Sequence, residues 1–220
     1  MQAAGLSVYE EVYVSQLGEF KLEVTSSNTL FRVEQCANSL HTVGHTITAK
    51  RLQPAQEWLP AHMYVEMATA WLFYITKRNA SQEQLTFSIA LQNPALTAEP
   101  ETGENLVAVG FGNGIRQLHI GTEYEEAMAC RAAANDWMPT RLERVLRTEM
   151  GVNLTTITPH GLRTRLPLLE PGENFYFHYT LAENPYRKAL ESLGYMDIST
   201  WFAVEQTKAQ LERSWQENRQ

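Results

Sequence analysis

The sequence predicts an α+β fold: an antiparallel sheet of several short strands, one buried central helix, and further helices packed on one face. Three observations predict it. Residues 19–26 alternate Phe20, Leu22 and Val24 with Glu19, Lys21 and Glu23, the period-two pattern of a strand with one buried face. Gly112-Asn113-Gly114 separates two β-rich runs, and Asn-Gly favours the tight turn of a hairpin. Residues 61–76, AHMYVEMATAWLFYIT, are apolar nearly all round, as a helix buried on several sides would be.

The other elements fall in order between these. Two serines and Asn28 supply a turn after the first strand, and 29–36 and 42–50 continue in extended form, the latter rich in β-branched residues. Their short links favour an antiparallel meander, because parallel neighbours need long crossovers. Pro54 and Pro60 mark the change to the central helix, where Met63, Met67, Ala70 and Tyr74 form one stripe that reads as core filling. Residues 85–91 read as a strand. Residues 93–105 hold Pro94, Pro100, Gly103 and three glutamates, and read as a solvated loop. The chain is expected to form one domain over 1–220, with a subdivision near 93–105 left open.

The hairpin pairs 106–111 with 115–120. Residues 123–135 are helical by propensity, with acidic side chains in the first turn, where they suit the helix dipole. A second helical run covers 140–150 and stops at Gly151. Strands are expected at 161–168 and 174–181, joined by Glu170-Pro171-Gly172-Glu173, strong turn chemistry. Helices at 185–193 and 198–216 close the chain. In the last, Trp201, Val204, Lys208, Leu211 and Trp215 recur at alternating spacings of three and four.

Composition bounds the function without naming it. With 44% hydrophobic residues in a chain of 220, 12 glycines, 9 prolines and 2 cysteines, disordered, collagen-like and disulfide-rich classes are excluded. The first fourteen residues carry Glu10 and Glu11 where a secretory signal needs an apolar run, and no segment reads as a membrane span. Cys36 and Cys130 read as free thiols in small core positions, and a soluble, cytoplasmic protein is expected. The net charge of −7 weighs against a sequence-blind grip on nucleic acid. It is also uneven: residues 1–110 hold 6 basic and 11 acidic side chains, and 111–220 hold 12 and 14.

Each candidate site has an ordinary counterpart. His41 and His45, with His62 and Glu66, offer imidazoles and a carboxylate for zinc or iron, yet lack the spacing of a zincin or a di-iron bundle. Gly110 to Gly114 lacks the strand-to-helix context of a phosphate loop. Arg141, Arg144 and Arg147, with Arg131, Arg163 and Arg165 near in sequence, offer a basic helix face for phosphate or an acidic partner, against interleaved Glu143 and Glu149. His160 and His178 have no nucleophile beside them in sequence. Trp201, Phe202 and Trp215, with Phe175, Tyr176, Phe177 and Tyr179, make an aromatic C-terminal third that suits either self-docking or a partner. The leading expectation is a non-enzymatic binding protein, an adaptor, assembly or inhibitory component with a protein partner and no cofactor. Partner-binding residues would be Trp201, Phe202, Trp215, Arg141, Arg144 and Arg147. The alternatives are a metal-dependent hydrolase using the His/Glu set, and a nucleic-acid-associated subunit using the arginine face.

Overall fold

In a computed structural model, two antiparallel sheets face each other across one apolar core. It describes residues 6–28, 34–36, 39–53, 65–103, 106–134, 139–140, 142–143, 154–186 and 200–217. Among these lie thirteen strands and two helices, so the expected α+β class is overturned by a mainly β sandwich. The five-stranded sheet has the order β1 (Leu6–Ser15), β2 (Gly18–Ser26), β7 (Leu85–Leu91), β12 (Gly161–Arg165) and β11 (Thr155–Thr158). The eight-stranded sheet runs β3 (Glu34–Cys36), β4 (Ser39–His41), β5 (His45–Leu52), β6 (Met67–Lys77), β13 (Asn174–Pro185), β10 (Arg116–Glu123), β9 (Leu106–Gly112) and β8 (Glu99–Gly103).

The largest correction falls on the central helix. Residues 67–77 form β6 instead, while 61–64 lie outside the described residues. Trp71, Phe73 and Ile75 point into the sandwich core, and Ala70 and Leu72 lie on the opposite face, buried as well. A strand covered on both faces loses its polar alternation, so its periodicity no longer separates it from a buried helix. What remains is its wealth of aromatic and β-branched side chains, which suits a pleated surface.

Period-two reasoning served where one face is open. Strands β2 and β7 bury every second residue, and β9 and β10 pair as the hairpin, with Gln117 opposite Gly112. Asn113 closes that turn: its backbone N–H donates to Arg116 O at 3.2 Å, and its side-chain Oδ1 accepts from the amides of Ile115 and Arg116. Gly114 takes φ +81°, which a side chain would resist.

Other expectations need correction. The sequence pattern assigns no element to the first fourteen residues, yet 6–15 form β1, with an irregularity between Ser7 and Tyr9. Within the supposed loop 93–105, Glu99–Gly103 is an edge strand on β9, a position where Pro100 is tolerated. Thr155–Thr158 adds a short edge strand. The Glu170–Glu173 turn exists, with Glu173 N–H donating to Glu170 O at 3.0 Å, but the strands it joins do not pair. Strand β12 belongs to the five-stranded sheet and β13 to the other, so the turn carries the chain from one layer to the next. Cys130 is exposed, against its expected core position, because it rides an outer position of helix α1 (Glu125–Ala134). The expected strand at 29–33, the helical run beyond 143 and the helix after Tyr186 lie outside the described residues.

Aromatic side chains fill the core. Phe73 and Phe87 meet across the two sheets at 4.9 Å between ring centroids, and Phe177 stands edge-on to Phe87 at 4.7 Å. Each fully buried aromatic ring contributes about 1.5–3 kcal/mol of transfer free energy. Tyr179 reaches from β13 to Thr164 Oγ1 at 2.6 Å, so its hydroxyl ties the layers as well as filling them.

The second helix, α2 (Thr200–Glu217), lies on the outer face of the eight-stranded sheet. Ala203 and Val204 pack against Leu106, Ala108 and Ala182, and Leu211 against Ala70, Leu72 and Tyr176. The stripe expected from sequence thus docks on its own sheet at Val204, Lys208 and Leu211, all buried. Gly121 permits the contact, since a methyl there would lie 2.5 Å from Val204 Cγ1.

Candidate interaction face

Of the His/Glu set, the described members His45 and Glu66 do not converge. His45 opposes Lys77 at the far end of β6, while Glu66 precedes the first residue of that strand. Eleven residues of extended chain separate them by roughly 35 Å, whereas metal ligands lie about 2 Å from one ion. His41 Nδ1 lies 3.0 Å from Thr46 Oγ1, and Glu66 accepts a 2.6 Å bond from Arg116. His62 lies outside the described residues. Among the described residues, no three His, Cys, Asp or Glu side chains are grouped to hold a metal ion.

His45 instead belongs to a buried clasp around Glu83. One carboxylate oxygen accepts from Ser26 Oγ at 2.5 Å. The other accepts from Thr42 Oγ1 at 2.6 Å and Gly44 N–H at 2.7 Å, and lies 2.9 Å from His45 Nδ1. Burial by itself pushes the carboxyl group up, but these four partners override it and hold it at about 2. Lys77 caps the clasp nearby, donating to Ser81 O at 2.7 Å. Ser26, Glu83 and His45 superficially assemble a triad. In a working triad, however, the nucleophile bonds the imidazole, and here Ser26 bonds the carboxylate.

A second buried carboxylate, Glu183, lies at the other end of the core. Arg116 Nε donates to its Oε1 at 3.3 Å, and Gln16 N–H donates to the same atom at 3.3 Å. Its Oε2 and Arg116 Nη2 have no hydrogen-bond partner, and burial holds Glu183 above the usual carboxylate range despite the nearby arginine. His119 is held below the ordinary histidine range, because burial outweighs Glu101 at 3.3 Å. His178 is fully buried, with Nδ1 3.2 Å from Tyr176 Oη, while His160 sits in the turn between β11 and β12.

The aromatic and arginine candidates divide. Phe175, Tyr176, Phe177 and Tyr179 are all buried in the sheet itself. The side chains of Trp201, Phe202, Trp215 and Arg131, and the whole of Arg141, Arg144 and Arg147, lie outside the described residues. Arg163 and Arg165 are exposed on β12.

Those two arginines belong to a surface that sequence reasoning missed: the outward face of the five-stranded sheet. Its register builds cross-strand rows. One row runs Glu10, Glu23, Ser88, Arg163 and Thr156. The next runs Val12, Lys21, Ala90, Gly161 and Thr158, and a third Ser7, Thr25, Thr86 and Arg165. Carboxylates thus stand on β1 and β2, arginines on β12, and small side chains on the central strand β7. Lys21 bridges Glu10 at 2.9 Å and Glu23 at 3.3 Å, whereas Arg163 has no ion-pair partner among the described residues. Val12 and Val14 add exposed apolar surface at the β1 edge, with relative exposures of 45% and 66%. No described element covers this face as α2 covers the other.

No family model matches the chain, and neither a curated protein nor a solved structure shows significant similarity to it. Among the described residues, no helix is long and apolar enough to cross a membrane.

Proposed function

We propose that the protein acts by binding another protein, through the outward face of its five-stranded sheet. The observation that supports this reading is the open ladder of Thr86, Ser88 and Ala90, flanked by carboxylates on β2 and by Arg163 and Arg165 on β12. Small side chains let a second backbone layer approach, and a divided charge fixes the orientation of whatever docks. Five strands about 4.8 Å apart and some seven residues long offer roughly 500–600 Å² to a partner. That lies at the low end of specific interfaces and suits a transient contact.

Helix α2 carries the expected partner residues Trp201, Phe202 and Trp215, whose side chains lie outside the described residues. Its described apolar positions are spent on the chain's own sheet, which leaves the opposite side of the sandwich for a partner. Ser88→Arg is the direct test, because the position is half-buried and outward and the substitution need not disturb the core. Chains that co-purify with the native protein should be lost from this variant while its melting temperature stays within about 2 °C. Full retention of the same chains by Ser88→Arg refutes the assignment of the face.

A further inference from the structure

We infer that the occupant of this face is a second copy of the same chain, packed sheet to sheet about a twofold axis that runs along β7. The inference rests on the reading of the face as a binding surface and adds the identity of what it binds. A closed dimer needs a patch that complements itself, and the rows described above do so in one orientation. Strand β7 is the middle strand of five, with β2 and β12 on either side and β1 and β11 beyond them. Rotation about an axis along β7, lying between two facing sheets, lays β2 of one copy over β12 of the other.

In the central row this puts Glu23 over Arg163 of the second copy, and does so twice, once on each side of the axis. Ser88 meets its own counterpart on the axis, and Glu10 meets Thr156. In the second row Lys21 lies over Gly161 and Val12 over Thr158, and in the third Arg165 lies over Thr25. No two like charges face each other in these rows. The other in-plane axis, across the strands, would lay β2 over β2 and set carboxylates against carboxylates. Charge therefore selects one packing of two, and it gives Arg163, which has no ion-pair partner among the described residues, a carboxylate partner. Aligned sheets also pack at the small angle that their own twist provides. Two such faces bury roughly 1,000–1,200 Å² in total, enough for a specific but weak dimer.

Sedimentation of the full chain over a range of about 1–200 µM tests the inference. The expected result is a monomer–dimer equilibrium with a dissociation constant on the order of 10 µM, weakened by added salt. Glu23→Arg and Arg163→Glu should each weaken the dimer by about tenfold or more, since each places like charges opposite one another. The double variant Glu23→Arg/Arg163→Glu should recover most of that loss by exchanging the signs. Wild-type chain that stays monomeric throughout overturns the inference, as does a double variant no tighter than its parents. If the wild-type chain is monomeric yet Ser88→Arg still strips a different co-purifying chain, the second copy is refuted and the binding face stands. If Ser88→Arg also changes nothing, both fall.

Discussion

Glu83 and Glu183 are buried carboxylates of one core, and their surroundings drive them apart. Glu83 has four hydrogen-bonding partners, and its folded pKa of about 2 lies below the ordinary carboxylate value of 4.5. A depressed carboxylate stabilises the fold once pH exceeds the unfolded pKa, and that contribution is lost as pH falls through the folded one. Its contribution at neutral pH is on the order of 3 kcal/mol, and stability should decline between about pH 5 and pH 2. Glu83→Gln should therefore cost about 2–4 kcal/mol at pH 7 in urea unfolding and flatten the acid limb. Glu183 is raised, so its ionised form opposes folding and its contribution runs the other way. Glu183→Gln should cost under about 1 kcal/mol at pH 7, because the amide escapes the burial penalty of the charge, its oxygen can still accept from Arg116 and Gln16, and Arg116 keeps its ion pair with Glu66. Equal losses in the two variants would contradict this contrast. Neither residue was legible in sequence as a site. The partners of Glu83 come from Ser26 and from residues 42–45, up to 57 positions away, and no local spacing records such a convergence.

Strands and helices became legible in proportion to how unequal their two faces are. Residues 19–26 and 85–91 border water on one side, so their alternation identified them. Strand β6 lies between the core and α2 and lost the alternation that would have named it. Helix α2 keeps a wet side, and its spacing of three and four marks the buried positions Val204, Lys208 and Leu211. The docking of that helix depends on a missing side chain in β10. Gly121→Ala would set a methyl 2.5 Å from Val204 Cγ1 and 3.0 Å from Leu106 Cδ1, so the helix must lift. The expected cost is about 1–3 kcal/mol by thermal or urea unfolding. Val204→Ala should restore part of it in the double variant, and strictly additive losses would show that the helix does not press there.

For the molecule as a whole, helix α2 covers one side of the sandwich, and no described element covers the other. Ending the chain after residue 199 would remove α2 and expose Leu106, Ala108, Ala182, Leu72 and Tyr176 together. A contiguous apolar patch of that kind promotes association and dye binding. The shortened chain should bind anilinonaphthalene sulfonate strongly, and an unchanged dye signal would mean that the helix is not the cover. Sequence recorded the charge asymmetry only as two unequal halves. The interaction face draws on residues 7–25, 86–90 and 156–165, so only the sheet topology reveals it. That topology also governs how the protein is made. Strand β13 enters between β6 and β10, which pair with it and not with each other. A ribosome adding about 5–20 residues per second needs roughly 5–20 s to pass from the end of β6 to the end of β13. Throughout that interval β6 presents a bare edge, joined by β10 once it is made, each able to pair with a neighbouring nascent chain. For those seconds the chain depends on whatever keeps such edges from other chains while the strand between them is still being synthesised.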